Sequence, residues 1–179
     1  MKNSVTLITG GSRSGKSAFA QQQAEQIDGP RLFIATCPRI DPEMDERILR
    51  HQQDREGLGW QTAEVPLGLA EKLERIPAGT TVLIDCLTLW VNNLMYEAEQ
   101  QKQEISEDQM TNLAKGLARV AGKHEGQVFL VTNEVGLGIV PDNPLVRRYR
   151  DLVGRCNQVI AALADQVVLV TCGIPLQIK

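Results

Sequence analysis

The sequence predicts an α/β fold, a mostly parallel sheet with helices on both faces. Three observations predict it. Short apolar runs rich in β-branched residues recur along the 179 residues. Helical patterns lie between those runs. Alternating strand and helix gives a parallel sheet, and its strands read as continuous apolar runs because both faces are buried.

The predicted strands are residues 5–9, 32–36, 81–85, 128–132 and 167–171, with 61–65 as a further short candidate. The predicted helices are 16–27, 42–55, 67–75, 87–98, 107–124 and 145–164. Asp142-Asn143-Pro144 is a helix start signal, with Pro in the first turn. Residues 97–109 are polar and read as a solvated insertion without chemistry, either a helix extension or an excursion. The length predicts a single domain spanning 1–179.

A net charge of −3 gives no broad basic field, which excludes nucleic acid as the expected partner. No apolar run is long enough to span a bilayer, and the N-terminus has no signal-peptide pattern, so the expected location is cytoplasmic. Cys37, Cys86, Cys156 and Cys172 form no C-x-x-C pair. They read as small buried hydrophobes in a reducing compartment.

The first run leads into Gly10-Gly11-Ser12-Arg13-Ser14-Gly15-Lys16-Ser17, which matches G-x-x-x-x-G-K-[ST], the P-loop pattern. Glycines let the backbone fold into a cup of N–H groups around anionic oxygens. Lys16 supplies a point charge for the outer phosphates, and Ser17 supplies a hydroxyl for Mg²⁺. The helix that follows turns its positive end toward the phosphate. A glycine-rich turn that binds nothing is the plain alternative, and strand, loop and helix in order weigh against it.

Polar or glycine residues close four of the runs: Gly10, Thr36, Asp85 and Asn133-Glu134. In a parallel sheet these carboxyl ends share one edge, where ligands bind. Asp85 suits a metal carboxylate; it suits a helix cap as well.

Arg47, His51 and Arg55 are spaced i, i+4, i+8, so on a helix they share one face, with Arg50 and Asp54 beside them. Such a strip can grip a polyphosphate and aim a ring nitrogen at phosphorus. Neighbouring arginines favour the neutral, nucleophilic imidazole, and Asp54 can set its tautomer. Spacing alone favours a surface helix laced with ion pairs. His124 reads as a C-terminal helix cap. Glu64 can accept two hydrogen bonds from the guanine edge, or be an exposed strand residue. Trp60 and Trp90 read as core or interface anchors. Glu134 is either a base toward a substrate hydroxyl or a turn cap. Arg148, Asp151 and Arg155 share a face that reads as salt-bridged and structural, with contact to an anionic substrate as the sharper alternative.

Taken in order, the P-loop, Arg47-Ile-x-x-His51, Trp60-x-Thr62-x-Glu64, Thr132-Asn-Glu-Val-Gly-x-Gly-Ile-Val-Pro141 and Arg150-Asp-x-x-Gly-Arg155-x-Asn157-Gln158 resemble one family. It is the bifunctional adenosylcobinamide kinase / adenosylcobinamide-phosphate guanylyltransferase family of cobalamin biosynthesis. The resemblance covers nearly the whole chain except 97–109.

The resemblance implies two reactions: phosphorylation of a corrinoid hydroxyl by ATP or GTP, then transfer of GMP from GTP to that phosphate with release of pyrophosphate. It implies a guanylyl-histidine at His51 and nucleotide contacts at Gly10, Gly11, Ser12, Arg13, Ser14, Gly15, Lys16, Ser17, Thr36, Gln52, Gln53, Asp54, Arg55, Glu64 and Asp85. Where some members carry Glu, this chain has Asp85. The resemblance also implies a homotrimer. A histidine relay spares two anions from meeting at one phosphorus, and Lys16, Mg²⁺ and the arginine strip offset charge on the leaving group. One loop serves γ- and α-phosphorus attack, so either the nucleotide binds in two ways or the His51 helix moves. A monofunctional small-molecule kinase and a nucleotide-dependent switch module are the rival readings.

Overall fold

The computed structural model describes residues 3–37, 55 and 57–179. The predicted helix 42–55 lies outside the described residues except for Arg55, which sits in a turn.

The chain runs β1 (Ser4–Thr9), α1 (Lys16–Glu25), β2 (Arg31–Ala35), β3 (Trp60–Glu64), α2 (Leu69–Leu73), β4 (Thr81–Asp85), α3 (Leu87–Gln100), α4 (Glu107–Lys123), β5 (Gln127–Val131), α5 (Pro144–Leu163), β6 (Gln166–Thr171) and β7 (Ile174–Gln177). One sheet takes the order β3-β2-β4-β5-β1-β6-β7. Every neighbouring pair is parallel except β6–β7. Each predicted strand is present within about one residue, and the 61–65 candidate is the parallel edge strand β3.

β7 was not predicted. Its four residues, Ile-Pro-Leu-Gln, are all exposed and show no alternation. Pro175 lacks an N–H, which suits an edge strand.

Period-two alternation sorts the apolar side chains onto two faces. Val5, Leu7, Ile34, Val82, Ile84, Val128 and Leu130 pack against Leu87, Trp90, Met110, Leu117, Leu152 and Ile160 of α3, α4 and α5. On the other face Ile8, Phe33, Leu83, Phe129, Val168 and Val170 pack against Ala20 and Ala24 of α1. Small alanines let α1 lie close to the sheet, which holds the loop before it against the strand ends. Each fully buried Leu or Ile contributes about 2–3 kcal/mol.

Helix ends follow the sequence signals. Asn143 Oδ1 accepts from the Leu145 and Val146 N–H groups, with Pro144 in the first turn of α5. The stretch 97–109 holds the end of one helix and the start of the next, with 101–106 non-helical between them: α3 continues to Gln100, and Ser106 and Gln109 form a capping box that starts α4. His124 caps α4, and its buried ring places Nε2 2.8 Å from the Thr80 carbonyl. Trp90 is core; Trp60 packs edge-on to Phe33 and donates to Glu25.

The expectation of four buried cysteines is corrected. Cys86 and Cys156 are buried and Cys37 is intermediate, but Cys172 is exposed. It occupies the β6–β7 turn with φ 51°, a site that an unrecognised hairpin concealed. Among the described residues no helix is long and apolar enough to cross a membrane.

Candidate active site

The loop Gly10–Ser17 forms a cup at the carboxyl end of β1. Ser14 N–H donates to the Gly11 carbonyl at 3.2 Å, and Phe19 N–H to the Gly15 carbonyl at 2.9 Å. Gly15 has φ 92°, a left-handed conformation that needs glycine, and a Cβ there would lie 3.2 Å from Gly173 Cα. A Cβ on Gly10 would collide with the Val170 carbonyl and with Ser14 Oγ. Lys16 is buried and its ammonium donates to the Gly11 carbonyl at 3.1 Å. The buried hydroxyls of Thr9 and Ser14 have no partner among the described residues.

A second cluster stands at the end of β4. The completely buried Thr36 donates its hydroxyl proton to the Cys86 carbonyl at 2.7 Å and accepts from the Cys86 N–H at 2.8 Å. Asn93 donates to the Thr36 and Pro66 carbonyls at 2.7 and 2.9 Å. These bonds fix the corner on which Asp85 stands. The Cys86 thiol is pushed up by burial and then by the Asp85 carboxylate, while the Lys16 ammonium pulls it down. Asp85 ends β4 directly before Cys86, and only β5 separates β4 from β1, the strand that leads into the cup.

The tail of β5 closes the gap between these clusters. Thr132 N–H donates to the Ile8 carbonyl at 2.9 Å, and Glu134 N–H to the Gly10 carbonyl at 3.1 Å. Glu134 Oε1 accepts from the Gly136 N–H at 3.3 Å, which is the turn-capping arrangement. Thr132 donates to Asn157 Oδ1 at 2.7 Å, and Asn157 Nδ2 donates to the Asn133 carbonyl at 3.1 Å. The sequence shows Asn157 only as part of the pattern that carries the resemblance; its bonding role is hidden there because its partners lie 24 and 25 residues away.

Gly10 to Ser17 and Asp85 thus share one edge. Glu64 shares the edge too, level with Ala35 and through it with Asp85. It stands on β3, four strand spacings from β1, which is about 19 Å. Arg55 is buried, its guanidinium carbon 3.6 Å from the centroid of the Phe33 ring. His51, Gln52, Gln53 and Asp54 lie outside the described residues, as do Arg47 and Arg50. Thr36, expected as a nucleotide contact, stands at this edge after β2, with its hydroxyl bonded to both backbone groups of Cys86.

Ser17 and Asp85 offer a hydroxyl and a carboxylate, both hard oxygen donors. Among the described residues no group of three His, Cys, Asp or Glu could hold a metal ion. That combination fits Mg²⁺, which is typically held by one or two protein oxygens plus phosphate and water.

Both arginines of the Arg148–Asp151–Arg155 face have partners on the polar stretch: Arg148 pairs with Glu104, and Arg155 with Glu107 at 2.7 Å. Beside them a cavity of 530 Å³ is lined by Met95, Tyr96, Glu104, Ile105, Arg148 and Tyr149, among others. Part of the stretch read as solvated therefore lines a pocket.

The family model for cobinamide kinase / cobinamide phosphate guanyltransferase matches residues 6–178. The bifunctional adenosylcobalamin biosynthesis protein CobP of Pseudomonas aeruginosa is 38% identical, over 97% of this chain and 96% of that protein. The CobU proteins of the same description from Salmonella typhimurium and Escherichia coli are 39% and 38% identical, each over 98% of this chain and 99% of the relative. In fold, the chain resembles the flagellar accessory protein FlaH of Methanocaldococcus jannaschii, with TM-score 0.53 and 13% identity over 99% of this chain and 79% of that one. A KaiC-like protein of Pyrococcus horikoshii gives TM-score 0.52 and 16% identity over 94% and 71%. The P-loop cup, the carboxylate beside it and the near full-length relatives agree: the chain belongs to the cobinamide kinase / cobinamide phosphate guanylyltransferase family.

Proposed function

We propose that the one cup at Gly10–Ser17 holds the triphosphate for both reactions of the family, and that His51 carries GMP between them. The observation that carries this reading is the placement of the Gly10–Ser17 loop after β1 and of Asp85 at the end of β4, on the same edge of the parallel sheet with only β5 between them. In the first reaction a corrinoid hydroxyl attacks the γ-phosphorus of ATP or GTP. In the second the His51 imidazole takes GMP from GTP and passes it to the corrinoid phosphate. Each displacement then brings only one anionic partner to phosphorus.

Lys16 and the backbone N–H groups of the cup orient the phosphates and offset charge on the leaving group. Ser17 and Asp85 would hold Mg²⁺, which would supply positive charge against the negative charge developing on the phosphates. Thr36 keeps Asp85 in place through Cys86. Glu64 accepts the guanine N–H pair in this reading, so the nucleotide lies extended across the tops of β5, β4 and β2. Gln52, Gln53, Asp54 and Arg55 belong to the same contact set. A homotrimer and a cytoplasmic location complete the reading, and sedimentation tests the first.

The test is incubation with α-labelled GTP. Label retained on denatured protein, lost in acid and stable in alkali, supports a phosphoramidate at His51. Absence of retained label, with phosphorylation intact, favours a monofunctional kinase.

A further inference from the structure

β5 lies between β1 and β4 in the sheet. Residues that follow it therefore emerge between the phosphate cup and Asp85. Asn133 is the second of them. Its neighbour Glu134 is bonded to Gly10 at 3.1 Å, and its own Nδ2 reaches Thr88 Oγ1 at 3.4 Å, just beyond Asp85 and Cys86. Asn133 Oδ1 is buried and has no partner among the described residues. Such an acceptor is rare in a native protein and asks for an explanation.

The surroundings hold this side chain in place. Asn157, buried on α5, donates to the Asn133 carbonyl at 3.1 Å and accepts from the completely buried Thr132 hydroxyl at 2.7 Å. Thr88 is buried, and its hydroxyl lies 2.8 Å from Cys86 Sγ. The backbone on both sides of Asn133 is thereby pinned, at Ile8 and at Gly10. The network leaves one strong acceptor over, at the strand end nearest both the cup and the carboxylate.

We propose that Asn133 Oδ1 accepts the hydrogen bond of the corrinoid hydroxyl in the phosphorylation step, and that Asn157 is the positioning residue that fixes Asn133. The inference rests on the reading of the cup as the nucleotide site. A carboxamide is not a base, so it orients the nucleophile. The hydroxyl oxygen bonds to the γ-phosphorus as the bond to the bridging oxygen breaks, and that electron pair leaves with the nucleoside diphosphate. The hydroxyl proton passes to a non-bridging oxygen of the transferred phosphoryl group and then to solvent.

The experiment compares wild type, Asn133→Ala and Asn157→Ala. ATP binding is measured by calorimetry, phosphorylation by kcat and KM, and guanylyl transfer from a pre-phosphorylated acceptor. Asn133→Ala is expected to lower the phosphorylation kcat by about 10²-fold, the scale of a misplaced nucleophile. ATP affinity and guanylyl transfer should hold within about 3-fold, because neither uses that hydroxyl. Asn157→Ala keeps the oxygen but frees its backbone, and should lower the same kcat by about 10-fold with KM for ATP unchanged. Melting temperatures separate this split from general damage; if Asn133→Ala does not fold, the Asn157→Ala split decides. Normal ATP binding with an unchanged phosphorylation kcat would overturn this proposal alone. Parallel loss of both reactions would overturn it too. A wild-type chain that binds no ATP would remove the reading of the cup, and this proposal with it.

Discussion

Thr36→Val separates a structural hydroxyl from a ligand-binding one. The substitution preserves shape and removes the hydroxyl that bonds twice to Cys86. The two losses are unequal. The Cys86 carbonyl keeps the Trp90 N–H at 3.2 Å, so losing the Thr36 bond costs about 1 kcal/mol. The Cys86 N–H is left buried without its hydroxyl, a cost of about 1–3 kcal/mol. The sum is about 2–4 kcal/mol. At about 3 °C per kcal/mol for a chain of this length, melting falls by about 6–12 °C. Thr36→Ser keeps both bonds and loses one methyl group, about 1 kcal/mol. Urea unfolding measures the stability change, and calorimetry with a non-hydrolysed GTP analogue measures affinity. The expected result is a large stability loss with affinity within about 3-fold of wild type. A stability loss below about 1 kcal/mol, combined with a tenfold loss of affinity, would refute the reasoning and return the hydroxyl to the nucleotide.

Further outcomes are expected. Lys16→Ala should lower both reactions by about 10²-fold or more, because one ammonium serves both phosphate chains; loss of one reaction only would show separate sites. His51→Ala should abolish guanylyl transfer and retained label while part of the phosphorylation activity survives. Normal GMP transfer in that variant excludes the covalent route. Burial pushes the Cys156 thiol from 9.0 up to about 12, and Tyr149 from 10.0 up to about 12, also chiefly by burial. The folded chain then keeps protons that the unfolded chain releases above pH 9. Stability is fully present below pH 9 and is lost as pH rises from there toward 12. At pH 10 Cys156 alone withdraws about 1.4 kcal/mol. Urea midpoints at pH 8 and pH 10 measure this; Cys156→Ser should flatten the slope, and equal midpoints in wild type would contradict it.

Much of the fold was legible because parallel strands buried on both faces leave unmistakable apolar runs, as at Val82–Ile84. The cup was legible because its chemistry is local: glycines, Lys16 and Ser17 act within eight residues. Features that depend on contacts distant in sequence were not. Thr36 closes an apolar run in one dimension, and nothing there shows that its hydroxyl bonds to Cys86, fifty residues on. Asn157 reads as one more polar residue on an amphipathic helix until α5 sets it against Thr132 and Asn133. The polar stretch 97–109 looked solvated because its charges have their partners, Arg148 and Arg155, on a helix more than forty residues away. β7 was hidden by its brevity and its proline, since an exposed edge strand needs no apolar signature.

That unpredicted edge bears on catalysis. Gly173, in the turn that β7 completes, donates its N–H to the Ser14 carbonyl at 2.8 Å, and Glu134 donates to Gly10 from the opposite side. The cup is therefore clamped by the β6–β7 turn and by the tail of β5, and its shape is set by protein bonds to both. A clamped cup gives the same grip to every triphosphate it holds. Under the proposed function the choice between γ- and α-phosphorus then comes from the nucleophile that reaches the chain of phosphates, the corrinoid hydroxyl for one and the imidazole for the other. In this view the fold keeps the electrophile constant and varies the attacker, so that one P-loop serves two chemistries.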